Sequence, residues 1–402
     1  MTAYHHRLLE KNLQSVLNRG KSVLLLGARQ TGKTTLLKKV AKADLSYNLA
    51  IPKQRLQFEQ DPDSLSAEIE AIWATKKLRH PPLVVIDEVQ KVPELMDVAQ
   101  YLIDGQRAQF ILTGSSARKL KHNRQGDINL LPGRVVVLHL DALCLPELND
   151  TKIDLTSLLL YGSLPGILFD ATDTDREQDL AAYVETYLEE EIRQEGLIRN
   201  LGAFSRFLEL AALSMGEPIN FTKLSQDVGV SVHSITEYFH ILEDCLIIKG
   251  ISPIVDASRR KLTKASKYLF FDLGVKRLCA KEGQKLSQRT QAALFEQFIG
   301  MELLRYLHLS AAYFRLQYWR DHNGPEVDYV IDMHQHYLPI EVKWTEQPSR
   351  HDCRHLEIFM SEYPCIEFGY VVCRVPRERK LSDRVIALPW QQLPTLIALI
   401  DI

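Results

Sequence analysis

The residues best suited to chemistry begin at position 27, in the segment GARQTGKTT. Its spacing matches the phosphate-binding pattern G-x-x-x-x-G-K-[ST], in which glycines let the backbone turn tightly and aim N–H groups at phosphate oxygens. We expect Lys33 to contact the β- and γ-phosphates of ATP and Thr34 to bind Mg²⁺. The predicted nucleotide contacts are Gly27, Ala28, Arg29, Gln30, Thr31, Gly32, Lys33, Thr34 and Thr35.

Two acids supply the second half of a nucleotide site. Asp87 and Glu88 end an unbroken apolar run that starts at Leu83, and such a run predicts a buried parallel strand. At the end of that strand Asp87 would lie beside the magnesium ion, and Glu88 would orient or deprotonate the attacking water. Because both elements occur in the correct order, the sequence predicts hydrolysis of ATP with Mg²⁺ as the second cofactor.

Two further segments contain candidates for contact with the γ-phosphate. A third apolar strand ends near Thr113 and Ser115, where AAA-type ATPases carry a polar sensor; an ordinary strand and turn is the alternative. A basic loop follows, and an arginine that reached the γ-phosphate of a neighbouring subunit would suit an oligomer. Arg134 is the first candidate and Arg118 or Arg124 the second, with a solvated basic loop as the alternative.

The order of elements around these residues predicts an α/β fold. Val23–Leu26 is an apolar strand and Thr34–Val40 starts a helix, so the glycine loop has the strand–loop–helix context that phosphate binding requires. With the strands that end at Asp87 and Thr113, this pattern predicts a P-loop ATPase domain of the α/β class over residues 1–145.

Length and composition limit the class of protein. A chain of 402 residues, 46% hydrophobic and 25% charged, is typical of a globular protein with two or three domains. No apolar run is long enough to span a bilayer, and the first residues carry charges where a signal peptide needs apolar side chains. We therefore expect a cytoplasmic protein with no membrane partner. A net charge of −2 means that nucleic acid would be contacted only through local basic patches.

The middle of the chain, residues 146–280, predicts a helical lid and a winged helix. Thr222–Val228 and Ser231–Asp244 have the pattern of two helices joined by a turn, and Leu246–Ile251 would be the wing strand. The second helix exposes no Lys or Arg, so strong base recognition by it is not expected. Contacts with nucleic acid are expected instead from a basic cluster, with a purely structural winged helix as the alternative: Arg259, Arg260, Lys261, Lys264 and Lys267.

Residues 281–402 predict a second α/β domain. The order of elements is one helix containing Glu296, three strands, a helix and a strand, which is the core order of the PD-(D/E)xK nuclease fold. The predicted elements are the helices Thr290–Leu307 and His351–Met360 and the strands Tyr313–Arg320, Glu326–Met333, Tyr337–Trp344 and Ile366–Cys373.

The register of the second and third of these strands tests the interpretation further. Side chains alternate between the two faces of a strand, so the apolar residues of both strands must share one face. The pairs that achieve this are Val327 with Val342, Tyr329 with Ile340, and Ile331 with Leu338. Asp328 then falls opposite Glu341, and Glu326 opposite Lys343. Two facing acids repel unless a cation, such as Mg²⁺ or the Lys343 ammonium, lies nearby.

The motifs resemble a known family. GARQTGKTTLL, LVVIDEVQKVPEL, FILTGSSARKL and LPGRVVVLHL are similar to segments of bacterial and archaeal AAA-type ATPases that carry a C-terminal domain of unknown function. The resemblance extends over nearly the whole chain and implies an ATPase core, a winged helix and a nuclease-like end. By resemblance to PD-(D/E)xK enzymes, Asp328 and Glu341 would bind a metal ion, Lys343 would stabilise charge, and Glu296 would be an extra ligand.

These expectations combine into one hypothesis and two alternatives. The hypothesis is an ATP-driven AAA-type machine that forms a homo-oligomer, such as a hexamer, and acts on nucleic acid, most simply DNA. One alternative is an ATP-gated, metal-dependent nuclease; the C-terminal fold is, however, often kept for binding alone. The other alternative is a nucleotide-switched regulator whose partner is a protein.

Overall fold

The computed structural model describes residues 4–76, 78–116, 131–148, 153–169, 172–188, 200–254, 265–310, 314–321, 324–334 and 336–398. The chain forms two compact units, one of Met1–Leu143 with Asp244–Ile247 and one of Cys144–Glu243 with Ile248–Ile402. The division into three domains at residues 145 and 280 stays a prediction. Within the described ranges, no helix is long and apolar enough to cross a membrane.

The first unit is built on a parallel sheet of five strands. The strands are β1 (Ser22–Leu26), β2 (Leu45–Asn48), β3 (Leu83–Asp87), β4 (Gln109–Gly114) and β5 (Val135–His139). Their spatial order is β2-β3-β4-β1-β5, and every neighbouring pair is parallel. Because β4 lies between β1 and β3, the carboxyl ends of all three strands meet at one edge of the sheet. That edge carries the glycine loop, Asp87 and Thr113, so the predicted α/β core is confirmed.

Helices cover the faces of this sheet. They are α1 (Leu9–Asn18), α2 (Lys33–Val40), α3 (Pro52–Gln60), α4 (Ser64–Thr75) and α5 (Leu95–Asp104). One core packs Leu24, Ile86 and Phe110 of the strands against Leu65 of α4 and Leu95 of α5, all of them fully buried. Burial on both faces explains why the strands are continuous apolar runs in the sequence.

The second unit begins with short helices. They are α6 (Leu155–Tyr161), α7 (Pro165–Leu168), α8 (Asp173–Ala182), α9 (Leu201–Leu213), α10 (Phe221–Val228) and α11 (Val232–Asp244). Polar side chains cap four of the helix starts by accepting a backbone N–H: Asp154, Thr172, Asn200 and Asn220. Gly229 ends α10 with φ of 82°, and the Ser231 Oγ accepts the N–H of Ser234 at the start of α11. The predicted pair of helices is therefore present.

An eight-stranded sheet organises the rest of this unit. Its strands are β6 (Ile248–Pro253), β7 (Lys267–Phe270), β8 (Arg315–Arg320), β9 (Glu326–Met333), β10 (His336–Val342), β11 (Gly369–Cys373), β12 (Arg379–Lys380) and β13 (Val385–Pro389). Its order is β12-β13-β11-β10-β9-β8-β6-β7. The antiparallel hairpin β6–β7 joins the sheet because β6 pairs in parallel with β8 at Ser252↔Gln317.

Four helices accompany this sheet: α12 (Leu273–Cys279), α13 (Gln288–Leu309), α14 (Arg354–Glu362) and α15 (Leu393–Ala398). The order α13, β8, β9, β10, α14, β11 is the predicted helix–three strands–helix–strand order. Tyr337 of β10 packs on Phe359 of α14, and Trp344, just beyond β10, packs on Phe295 of α13. The helices α13 and α14 thus pack against different residues in and beside β10.

The register of β9 and β10 is partly as predicted. Tyr329 pairs with Ile340 and Ile331 pairs with Leu338, which confirms two of the three predicted pairs. The third pair, Val327 with Val342, is absent from the ladder, which ends at Tyr329↔Ile340. The reason is a bulge. Relative to β8, the strand β9 gains one residue between Val330 and Val327, so the strict alternation assumed for this strand is wrong.

Candidate functional site

The glycine loop connects β1 to α2. Gly32 lies directly before α2 with φ of 98°, a left-handed conformation that favours glycine. The Lys33 Nζ donates hydrogen bonds to the carbonyl oxygens of Gly27 at 2.8 Å and Ala28 at 3.0 Å. The Thr31 Oγ1 also donates to the Ala28 oxygen, at 2.9 Å. The loop thus closes around the lysine ammonium, and the start of α2 lies at the same place.

Gly27 is required by its surroundings. A Cβ atom at this position would lie 2.3 Å from the main-chain oxygen of Leu140 and 3.1 Å from the Thr31 Oγ1. Leu140 follows β5, the neighbour of β1 in the sheet, and its N–H donates to the Leu26 oxygen at 2.8 Å. The first glycine of the motif therefore lets the loop pass directly against the end of β5.

Arg7 fixes the loop from the other side, although no sequence pattern indicated this role. Its guanidinium is 5% exposed and donates from Nη1 to the Thr31 oxygen and from Nη2 to the Asp141 oxygen, both at 2.7 Å. One side chain therefore ties the glycine loop to the segment after β5. It also adds positive charge close to Gly32, because a Cβ there would lie 3.7 Å from the Arg7 Nη1.

Three polar side chains meet where β3, β4 and α2 converge. The Thr34 Oγ1 donates to the Asp87 Oδ2 at 2.6 Å, and the Thr113 Oγ1 donates to the Asp87 Oδ1. The Thr113 oxygen also accepts the N–H of Glu88 at 3.1 Å. Asp87 and Thr113 are buried, at 4% and 0% exposure. Thr113 therefore positions Asp87 and the backbone of Glu88. The predicted site residues of α2, β3 and β4 thus come together.

The Glu88 carboxylate is held by Gln90, a residue that no sequence motif indicated. Glu88 has φ of 62°, a conformation uncommon for a residue with a side chain, and a short 3₁₀ turn, Val89–Lys91, follows it. The buried Gln90 donates from Nε2 to the Glu88 Oε2 at 2.7 Å and to the Ser115 Oγ at 3.0 Å. The Ser115 Oγ lies 3.4 Å from the same Glu88 oxygen. Ser115 therefore belongs to the site as a partner of Glu88 and Gln90.

These residues fit ATP and Mg²⁺. Magnesium prefers hard oxygen ligands, and the Thr34 hydroxyl and Asp87 carboxylate are adjacent oxygens of that kind. Backbone N–H groups at a helix start and the Lys33 ammonium suit phosphate oxygens. The glycines of the loop leave room for the phosphate because they have no Cβ. Arg29 is half-buried, whereas Gln30 and Thr35 are exposed at the edges of the loop.

Of the three arginine candidates, Arg134 lies within the described residues. The Arg134 Nε and Nη2 donate to the two carboxylate oxygens of Asp104 at 2.7 and 2.9 Å, at the exposed end of α5. This two-point hydrogen bond raises the pKa of Arg134 and lowers the pKa of Asp104. Arg118 and Arg124 lie outside the described residues. So do the candidate nucleic-acid contacts Arg259, Arg260, Lys261 and Lys264.

The bulge in β9 redirects Asp328. Its Oδ2 accepts the backbone N–H of Val342 at 2.8 Å, in place of a ladder hydrogen bond at the end of β10. Burial raises the pKa of Asp328, against the opposing effects of the Lys267 and Lys343 ammonium groups. The carboxylate is therefore held at the point where β9 and β10 separate.

Glu341 and Lys343 form an adjacent pair. The Lys343 Nζ donates to the Glu341 Oε1 at 2.6 Å, while the Oε2 is buried and has no hydrogen-bond partner among the described residues. Burial, followed by the charge of Asp328, raises the pKa of Glu341 to about 8. A buried carboxylate oxygen without a partner is costly unless a proton or a cation satisfies it.

Lys267 lies in the same cluster, which overturns one expectation. It is 2% exposed, forms an ion pair with Glu326, and its Nζ lies 3.7 Å from the Glu296 Oε1. The expectation that Lys267 contacts phosphate groups from an exposed basic cluster is wrong, because β7 packs its side chain inward. Glu326 likewise pairs with Lys267 and with Arg320, at 3.2 Å, instead of Lys343.

The acids fit one metal ion better than a larger cluster. The unpartnered Glu341 Oε2 and the neighbouring Asp328 carboxylate are hard oxygens of the kind that Mg²⁺ binds. In the described part of the chain, however, no group of three or more His, Cys, Asp or Glu side chains is arranged to hold a metal ion. Glu296, the predicted third ligand, instead lies beside Lys267.

Family models match three consecutive segments of the chain. Residues 19–149 match an AAA domain, residues 152–286 a domain of unknown function (DUF8612), and residues 291–393 another domain of unknown function (DUF4143). The chain therefore contains an AAA domain followed by domains of unknown function. The AAA segment contains the glycine loop, Asp87, Glu88, Thr113 and Ser115. The AAA-type protein carries its acidic cluster mainly in the C-terminal segment, with Lys267 supplied from the preceding one.

Several curated relatives and solved structures are similar to parts of the chain. An uncharacterized protein of Mycobacterium tuberculosis is 25% identical over 390 residues, which are 95% of this chain and 83% of that protein. An uncharacterized protein of Haemophilus influenzae is 22% identical over 70% of this chain and 74% of that protein. The Walker-type ATPase PABY2304 of Pyrococcus abyssi is 13% identical, with a TM-score of 0.43 over 67% of this chain and 94% of that one. A signal transduction ATPase with numerous domains (STAND) from Pyrococcus horikoshii, with a tetratricopeptide repeat sensor, is 16% identical over 77% of this chain and 47% of that one, with a TM-score of 0.27.

Proposed function

We propose that this AAA-type protein hydrolyses ATP and uses the energy to act on nucleic acid as a homo-oligomer. The observation that supports hydrolysis most strongly is the convergence of Thr34, Asp87 and Thr113, with Glu88 held beside them by Gln90. Thr34 lies at the start of α2, Asp87, Glu88 and Gln90 lie at or just after the end of β3, and Thr113 lies on β4, so their meeting depends on the parallel sheet. A magnesium ion, when bound with the nucleotide, would neutralise phosphate charge next to the Thr34 and Asp87 oxygens.

The chain's own residues have separate roles in this proposal. Lys33 exchanges the carbonyl oxygens of Gly27 and Ala28 for phosphate oxygens, because an ammonium group interacts more strongly with a full negative charge. Glu88 accepts a proton from the attacking water or orients it. Thr113 keeps the backbone of Glu88 and the carboxylate of Asp87 in place, and so links the γ-phosphate end of the site to β4.

Arg134 remains our candidate for an arginine that acts on a neighbouring subunit. Its side chain is 32% exposed and its guanidinium is held in a fixed orientation by Asp104. An exposed, pre-oriented guanidinium suits an interaction with a γ-phosphate outside its own subunit. The exposed pair with Asp104 contributes little to stability, so its exchange for a phosphate would not destabilise the domain.

The proposed action on nucleic acid is supported by a group of basic residues in the second unit. The candidate contacts are Arg259, Arg260, Lys261 and Lys264, between β6 and β7. Four basic residues within six positions are suited to phosphate neutralisation, whereas the exposed start of α11 has none. We take DNA as the first substrate to test.

The test is an ATPase assay on the full chain with forked, branched, single-stranded and duplex DNA and RNA, with cleavage measured in parallel. Stimulation by one structure, lost when all four basic residues are changed to Ala, supports the proposal. ATP turnover that no nucleic acid stimulates or binds at low salt would replace it with a nucleotide-switched regulator of a protein partner. Cleavage that requires Mg²⁺ and is lost in Asp328→Asn would favour an ATP-gated nuclease.

A further inference from the structure

The acidic cluster of the second unit contains a cation of its own. Lys267 is the first residue of β7 and is almost fully buried. Its ammonium forms an ion pair with Glu326, lies 3.7 Å from the Glu296 Oε1, and is 4.9 Å from the centre of the Tyr318 ring. Burial lowers the pKa of Lys267, but the charges of Glu296, Asp328 and Glu326 outweigh burial and leave the pKa raised. Its contacts with two carboxylates are those of an ammonium cation.

The carboxylates differ in the cation that each one contacts, although the charge of Lys267 also acts on Asp328. Glu296 and Glu326 face Lys267, and Glu326 also contacts Arg320. Glu341 contacts Lys343 through one oxygen only and leaves the other without a partner among the described residues. Asp328 is oriented by the Val342 N–H. Glu341 is therefore the described carboxylate of this cluster whose second, buried oxygen is open to a further cation.

We propose that Lys267 is a built-in cation that holds Glu296 and Glu326 out of metal coordination, so that one divalent metal ion binds at Asp328 and Glu341 alone. A buried ammonium fixed by a strand cannot leave the cluster as a hydrated ion can. An acid that is already paired with it has little to gain from a metal ligand bond. The lysine belongs to the segment that matches DUF8612, whereas the acids belong to the segment that matches DUF4143. The site is thus completed across that boundary by the β6–β7 hairpin, which joins β8.

Mn²⁺ binding to the full chain tests this proposal without any assay of activity. All proteins should carry Asp87→Asn, so that the nucleotide site does not contribute, and free Mn²⁺ is measured by electron paramagnetic resonance. Glu296→Gln and Glu341→Gln form a matched pair, because each replaces one carboxylate with an amide of the same shape. We expect one Mn²⁺ per chain, a loss of affinity of more than about tenfold in Glu341→Gln, and a change within about threefold in Glu296→Gln.

The lysine is tested by Lys267→Met, with Lys267→Arg as the conservative control. Removing the ammonium leaves Glu296 without its nearby cation and Glu326 with Arg320 alone, so the melting temperature should fall by several degrees in metal-free buffer. Mn²⁺ should then restore part of that loss, and the restoration should disappear when Glu296→Gln is added. Lys267→Arg should keep the stability and the single Mn²⁺ site.

Three results would overturn the proposal. Loss of Mn²⁺ binding in Glu296→Gln to the extent seen in Glu341→Gln would make Glu296 a ligand. Unchanged melting and stoichiometry in Lys267→Met would remove the role of the lysine. Absence of Mn²⁺ binding in the Asp87→Asn protein would show that Asp328 and Glu341 hold no metal ion. The first and third results do not require Lys267→Met to fold.

Discussion

The close passage of the glycine loop against the end of β5 predicts the effect of a single methyl group. In Gly27→Ala the new Cβ would lie 2.3 Å from the Leu140 oxygen, whereas ordinary contacts of a Cβ are 3.4–4 Å. The obstructing atom belongs to the backbone of the sheet and cannot turn away as a side chain can. Overpacking of this kind costs about 1–3 kcal/mol of the free energy of unfolding.

The corresponding change in melting temperature is measurable by calorimetry. For a unit of roughly 150 residues, each kcal/mol lowers the melting temperature by roughly 2–4 °C, so Gly27→Ala should lower it by roughly 2–12 °C. Gly166→Ala in α7 is the matched control, because a Cβ there has no atom within 4 Å and the residue does not have positive φ. A fluorescent ATP analogue should also bind Gly27→Ala more weakly than the control. Equal melting and equal nucleotide binding in the two variants would refute this account of the loop.

Three other predictions concern separate contacts. Gln90→Ala should lower kcat for ATP about tenfold with little change in KM, because Glu88 loses its shorter hydrogen bond, the one from Gln90, while the phosphate contacts stay; an unchanged kcat would show that Gln90 is not a positioning residue. In metal-free buffer the free energy of unfolding should fall as the pH rises from about 4.5 to about 8, because Glu341 stays protonated in the folded chain and ionises when unfolded. Urea titrations of Glu341→Gln should show a weaker dependence of the free energy of unfolding on pH. The same pH dependence in wild type and variant would contradict this. Mixing Arg134→Ala with Lys33→Ala should restore turnover if Arg134 acts on the neighbouring subunit; no recovery, with both proteins assembled, would exclude it.

Much of the nucleotide site was predictable because its chemistry is local in sequence. The glycine loop and the acids after β3 have fixed spacings, and a parallel sheet brings strand ends to one edge. Gln90 was not predictable in the same way, although it lies two residues after Glu88. Its role depends on the left-handed turn at Glu88, which points Gln90 back at the carboxylate and at Ser115.

The acidic cluster shows the limits of strand alternation. Apolar periodicity placed Tyr329 and Ile340 correctly, but it also assumed that Val327 shares their face. Val330 was the available signal, since it is an apolar residue in the polar phase of β9 and packs in the same core cluster as Val327. A bulge accounts for both residues. Lys267 gave no local signal, because its position depends on the pairing of β6 with β8, more than 60 residues away.

We propose that Glu88 and Lys33 carry out different parts of one ATP hydrolysis reaction. The most direct measurement is phosphate release by the full chain, with nucleotide binding measured on the same samples, for the wild type, Glu88→Gln and Lys33→Ala. We predict that Glu88→Gln binds ATP with near wild-type affinity and loses turnover by about 10²–10⁴-fold, whereas Lys33→Ala loses both binding and turnover. Wild-type turnover in Glu88→Gln would contradict the proposed role of this site.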